Sequence, residues 1–178
     1  LCQHLRSLGL SQIYSSRSQL PSLTDYLKDA SDVLFVGVSL SGLIKNNQTL
    51  FEDKLKDGCN LRFILPRSLN HANIGHLAPQ VAVVSTPNDL YNTTKQIKEL
   101  AKNAIENKSL GRIMLKKVRF IPNCGYVFVK YKDKSEFSRI EYYLYKISVD
   151  ERPSIEFERT KNSGIAHKKI RSTYEMMW

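Results

Sequence analysis

The sequence predicts an α/β fold, a mixed β-sheet flanked by helices, and three stretches carry that prediction. The first is Asp32 to Leu43. Its apolar run from Val33 to Val38 is rich in β-branched and aromatic residues and too short for a helix, so it reads as a buried strand. Gly37, Ser39, Ser41 and Gly42 then mark a strand-to-helix turn. The second stretch is Asn60 to Leu65, another buried strand, closed by Pro66 and reached through a helical segment that stops at Asp57-Gly58. Strand, helix and strand in this order form a parallel, right-handed β-α-β unit. The third is the last third of the chain, where strand-like segments are separated by short polar turns.

The remaining elements follow in chain order. Leu1 to Leu8 suits a short helix with Leu1, Leu5 and Leu8 on one side, ended by Gly9. Ile13 to Arg17 reads as an ordered loop leading to Pro21, and Ser22 as the N-cap of a helix over 23–28. In the helix of the β-α-β unit, Leu43, Ile44, Leu50, Phe51 and Leu55 supply the buried side, with a break near Asn46-Asn47. From Arg67 to Pro79 the Asn, His and Gly content indicates a loop with one helical turn, followed by a short strand over 81–84. His71 and His76 are spaced like a helical metal pair. No acid lies between them, and Gly75 and Pro79 oppose a helix, so solvated histidines fit better than metal ligands. Asn88 or Asp89 starts the longest helix, to about Asn107. Leu90, Ile97, Leu100, Ala101, Ala104 and Ile105 form its expected buried face, with Lys95, Lys98 and Lys102 on the exposed side.

Strands are then expected over 112–121, 126–131, 137–149 and 154–159, with turns at 122–125 and 132–134 and an interruption at Arg152-Pro153. Ser163 or Gly164 opens a terminal helix whose aromatic end, Tyr174, Met177 and Trp178, docks on the sheet. There is no internal repeat and no low-complexity segment.

Length and composition narrow the function. A chain of 178 residues fits one domain with a real core. The formal charge of +10 favours an acidic partner, either nucleic acid or another phosphorylated ligand. Residues 89–134 hold eleven Lys or Arg against four Asp or Glu, and Lys161, Lys168, Lys169 and Arg171 cluster without an acid near the end. Such lysines also suit a merely solvated helix face. Tyr126, Tyr131, Tyr142, Tyr143 and Tyr145 have the chemistry to stack on bases, although tyrosines suit strands in any case. Cys2, Cys59 and Cys124 are far apart and odd in number. They suggest a reduced, cytoplasmic setting, with neither a disulfide scaffold nor a metal site. No run reaches membrane-spanning length and no signal peptide is recognisable, so no membrane partner is expected. The chain begins at Leu1 without a methionine, as a piece of a longer protein, or a trimmed or partly ordered one, would.

In open α/β sheets, ligands bind beyond the carboxyl ends of the strands. Those ends are Ser39-Leu40-Ser41-Gly42, with hydroxyls and helix-start N–H groups suited to phosphate, and Pro66-Arg67-Ser68, with a guanidinium. The alternative is that the serines only cap the helix and Arg67 is solvated. Neither a phosphate-loop lysine signature nor a complete dinucleotide glycine fingerprint is present.

The order of pieces resembles the phospholipase D-like fold, and within it a compact, single-copy bacterial branch found in regulators and defence-related proteins. Leu8-Gly9-Leu10, Ile13-Tyr14 and Arg17 resemble that branch's opening segment, Phe35 to Leu40 its first core strand, and Gly58 to Pro66 its glycine-led second strand. Val118-Arg119-Phe120 precedes the place of the catalytic motif. Arg152 to Ile155 and Tyr174 to Trp178 resemble the closing strand and helix. The resemblance covers nearly the whole chain. Active members carry His-x-Lys followed four residues later by Asp, and two copies of the motif face each other, often across a dimer. Here Cys124 takes the histidine place, Tyr126 the lysine place and Tyr131 the aspartate place, and none can do the same work.

The resemblance therefore implies a sandwich that has lost its catalytic residues. It would act as a phosphate- or nucleic-acid-binding, sensing or assembly module in a bacterial cytosolic regulatory or anti-phage system, with a protein partner or a homodimer as further expectations and no cofactor. A retained anion pocket would use Ser39, Ser41, Gly42 and Arg67, with Arg17 and Lys130 as further candidates. Lys95, Lys98, Lys102, Lys168, Lys169 and Arg171 are the nucleic-acid candidates. The competing reading is an active phosphodiesterase or nuclease with a relocated histidine at His167-Lys168-Lys169, where Tyr174 stands in the aspartate place. A third is a purely structural interaction domain.

Overall fold

A computed structural model describes residues 8–69, 87–144, 148–159 and 164–178. Their elements, in order, are β1 (Leu10–Tyr14), a 3-10 turn (Arg17–Gln19), α1 (Leu23–Leu27), β2 (Ala30–Val36), α2 (Ser41–Asn46), α3 (Gln48–Lys56) and β3 (Asn60–Pro66). Then come α4 (Pro87–Glu106), β4 (Ile113–Val118), β5 (Cys124–Tyr131), β6 (Glu136–Tyr142), β7 (Ser154–Arg159) and α5 (Ile165–Met176). The seven strands form one mixed sheet in the order β1-β7-β6-β5-β2-β3-β4. β2, β3 and β4 are parallel, and every other neighbouring pair is antiparallel.

Central β2 is covered on both faces, as parallel strands usually are. Alternation sends Val33 and Phe35 to one face and Leu34 and Val36 to the other. On the first face Phe35 and Phe63 stack at 5.4 Å and Phe51 of α3 meets both edge-on. Ile44 of α2 and Leu90, Ile97 and Leu100 of α4 complete that core. On the second face α5 lays Ile170, Tyr174, Met177 and Trp178 over Leu34, Ile64, Tyr126 and Phe128. The docking expected of the terminal aromatic end is present, and α1 to α4 lie across the sheet from α5.

Local chemistry explains the helix ends. Ser22 forms a capping box with Asp25 at the start of α1. The expected break at Asn46-Asn47 separates α2 from α3, and the Asn47 side chain donates to the Leu43 carbonyl at 2.9 Å, closing α2. After α3, Gly58 adopts φ +85° and the Cys59 N–H returns to the Lys54 carbonyl, a left-handed helix ending.

Several expectations are corrected. Ile13 and Tyr14, expected in a loop, belong to a strand, Leu10–Tyr14. It pairs with β7 through a register shift between Leu10 and Gln12, a partnership between segments far apart in sequence that local pattern cannot reveal. β5 already begins at Cys124, inside the expected turn, because Cys124 and Gly125 pair with Tyr142 and Glu141. β6 ends at Tyr142 and does not continue to Val149. On α4, Ile105 is 78 % exposed, while Thr93 and Thr94 are buried. The expected helix over 1–8 lies mostly, and the strand over 81–84, His71 and His76 wholly, outside the described residues.

Candidate anion-binding site

A cavity of about 580 Å³ opens beyond the carboxyl end of β2. β2 has parallel β3 on one side and antiparallel β5 on the other, so the chain's direction of winding reverses there, the usual place for a ligand in an open α/β sheet. The floor is a row of residues paired across three strands: Phe35 opposite Val127, and Val127 opposite Arg139. Alternation along β6 puts Arg139, Glu141 and, just past its end, Tyr143 on the same face, and all three line the cavity. Gly125 lies opposite Glu141, and a Cβ there would sit 3.3 Å from the Tyr143 hydroxyl.

Three arginines converge. Arg17 comes from the 3-10 turn, whose backbone N–H donates to the Asp150 carbonyl at 2.8 Å. Arg152 comes from the loop before β7 and Arg139 from β6. Glu141 stands between two of them, 3.4 Å from Arg152 and 3.8 Å from Arg17. Arg152 is 7 % exposed and lies over the Tyr143 ring at 4.6 Å, yet its Nε has no hydrogen-bond partner among the described residues. Arg139 is 8 % exposed and sits 5.0 Å from the centre of the Tyr26 ring. Burying guanidinium groups is costly unless anions meet them. Among the described residues Glu141 and Asp150 are the only carboxylates in the lining, and Arg139 is also paired across from the buried Glu156 of β7. On the opposite wall, Ser39 is buried, Ser41 is partly exposed and Gly42 is open. Leu40 between them holds φ +55°, a strained value for a bulky residue.

This arrangement suits holding an oxyanion better than attacking phosphorus. No histidine, lysine or cysteine lines the cavity among the described residues. Burial, reinforced by Glu141, raises the Tyr143 pKa, so its phenol stays protonated at neutral pH.

The structure divides the sequence-predicted anion set. Ser39, Ser41, Gly42 and Arg17 line this cavity. Arg67 does not: the chain leaving β3 turns toward α4, burying Leu69, and Arg67 lines a separate cavity with Lys95 and Lys98. Lys130 is exposed opposite Asp32, near the other end of the sheet.

The nucleic-acid candidates divide as well. Lys95, Lys98 and Lys102 are exposed on α4. Lys168 and Lys169 are exposed on α5, across the sheet, so the two lysine groups do not form one patch. Arg171 is held inward, 2.5 Å from Glu136 and 5.1 Å from the centre of the Phe128 ring. Tyr126 is a core residue stacked on Tyr174 at 3.8 Å, which removes it as a base-stacking surface.

The motif-place residues do not converge on a reactive centre. Cys124 lies 2.9 Å from the Tyr174 hydroxyl, and burial raises its thiol pKa. The Tyr126 hydroxyl meets Ser138 at 3.0 Å, and Tyr131 lies at the far end of β5. His167 is fully buried on the α5 face, 3.8 Å from Glu136, outside the cavity.

Arg139, Glu141 and Arg152 were missed by sequence reasoning as site residues, and Tyr143 was named only as a base-stacking candidate. Alternate spacing of Arg139, Glu141 and Tyr143 was the available signal, but the partners that make it a wall are strands remote in sequence. No family model matches the chain, and no curated protein matches it.

Proposed function

We propose that this chain is a phosphate-recognition module. In this reading it is a phospholipase D-like domain without the phosphodiesterase motif, and it binds a phosphorylated ligand of about nucleotide size in the Arg17–Arg139–Arg152 cavity without cleaving it. The cytoplasm of a bacterial regulatory or anti-phage system is the setting that the resemblance implies. The observation that carries the reading is Arg152: a guanidinium more than nine-tenths buried, lining an open cavity, with an Nε that no described residue satisfies. A ligand phosphate would complete it, and charge-assisted contacts of this kind are the strong ones. Among the described residues no helix is long and apolar enough to cross a membrane.

Isothermal calorimetry with a nucleoside 5′-monophosphate and with inorganic pyrophosphate tests the proposal. We expect binding by the wild type and a loss of about 1–3 kcal/mol in Arg17→Ala, the scale of a hydrogen bond to a charged group. Arg17 is the better probe because its side chain is 37 % exposed, so its removal spares the core. Arg67→Ala should leave this binding unchanged. Absence of binding to either compound at millimolar concentration would overturn the reading.

A further inference from the structure

The second cavity, about 460 Å³, opens between the ends of β3 and β4 and the first turns of α4. Its charged lining residues are Arg67, Lys95, Lys98 and Lys117; no carboxylate lines it among the described residues. They come from three elements held together by the core, and the Arg67 N–H bonds the Val118 carbonyl at 2.6 Å. Glu99 lies 3.9 Å from Lys95 in an exposed i,i+4 pair, which neutralises little. Four like charges in one groove repel each other and raise the local concentration of polyanions. One turn before Lys95, Tyr91 is 67 % exposed at the groove's edge.

From this combination we infer that the groove binds single-stranded nucleic acid, with the four cations on backbone phosphates and Tyr91 stacked on an unpaired base. Cations that track phosphates beside an exposed aromatic face are what single-strand binding without sequence preference requires, and a duplex offers no free base face. The assignment is independent of the arginine cavity and removes α5 from the nucleic-acid surface.

Fluorescence anisotropy of the full chain with a labelled oligothymidylate of about 10 nucleotides, across a salt series, tests it. We expect binding that falls with salt. Lys95→Glu/Lys98→Glu should reduce the slope of log K against log salt by about 1.4, the share of two phosphate contacts on a single strand. Tyr91→Ala should weaken binding about tenfold, while Tyr91→Phe keeps it, because stacking needs the ring and not the hydroxyl. Lys168→Glu/Lys169→Glu should bind as the wild type does. The inference is overturned by no binding at low salt, by an unchanged slope in the α4 variant, or by equal weakening in the α5 variant. Duplex DNA or polyglutamate bound as tightly as the oligonucleotide would overturn it too.

Discussion

His167 is the one histidine among the described residues, and its surroundings make it a pH-sensitive structural group. Its ring is fully buried; Glu136, Arg171 and Arg159 are the charged groups about it, with Phe128 packed 6.1 Å away. Burial lowers its pKa, Glu136 opposes that, and Arg171 and Arg159 reinforce it. A base with a depressed folded-state pKa takes up its proton first in the unfolded chain. Stability is therefore retained above the ordinary histidine pKa of about 6.5 and lost as pH falls below it. We expect urea midpoints at about pH 7.5 and about pH 5.5 to diverge between wild type and His167→Gln, with the variant gaining relative ground in acid. A pH-independent difference would contradict this. Arg62 shows the other fate of a buried charge: it donates to Asp32 at 2.9 Å and bridges to Glu175 of α5, so its removal would strand Asp32 and leave Glu175 only Arg171, 3.9 Å away. Arg62→Ala should cost about 3–5 kcal/mol in urea denaturation, the scale of breaking a buried pair.

Elements in this chain are joined by close backbone contacts as much as by side chains. Gly111 links α4 to β4. Its N–H donates to the Leu55 carbonyl at 2.8 Å, and an added Cβ would lie 2.0 Å from the Cys59 carbonyl oxygen, which cannot move without disturbing β3. Gly111→Ala should lose about 1–3 kcal/mol in urea denaturation, the cost of overpacking. A wild-type midpoint would show that the junction yields. Capping is gentler: Ser22→Ala removes one side of the α1 capping box and should cost about 1 kcal/mol.

Across the whole molecule, the sheet separates tasks. The arginine cavity draws on α1 and α2 and the basic groove on α4, whereas α5 seals the opposite face with Tyr174, Met177 and Trp178, and Lys116 donates to the Trp178 carbonyl. Cys124 and Tyr126 are committed to that seal. Purified protein should therefore not hydrolyse a chromogenic phosphodiester or single- or double-stranded nucleic acid. Turnover that disappears in His167→Ala would restore the relocated-histidine reading, and turnover lost in Arg17→Ala would make the cavity catalytic.

Elements whose causes are local can be read from the chain before it folds. The Val33–Val38 run, the Ser22 cap, the break at Asn47, the Gly58 ending and Ser154–Arg159 are all written in neighbouring residues, and so the β-α-β unit and the strand end carrying Ser39 were legible. Folding settled what depends on pairing between distant segments. It recruited Leu10–Tyr14 as an edge strand through β7, brought Arg17, Arg139 and Arg152 to one cavity, and moved Arg67 into a groove with α4. The physical reason is that period and propensity act over a few residues, while a site's charges are gathered by strand order and by which face each helix covers. Neither leaves a mark on the local pattern of an arginine.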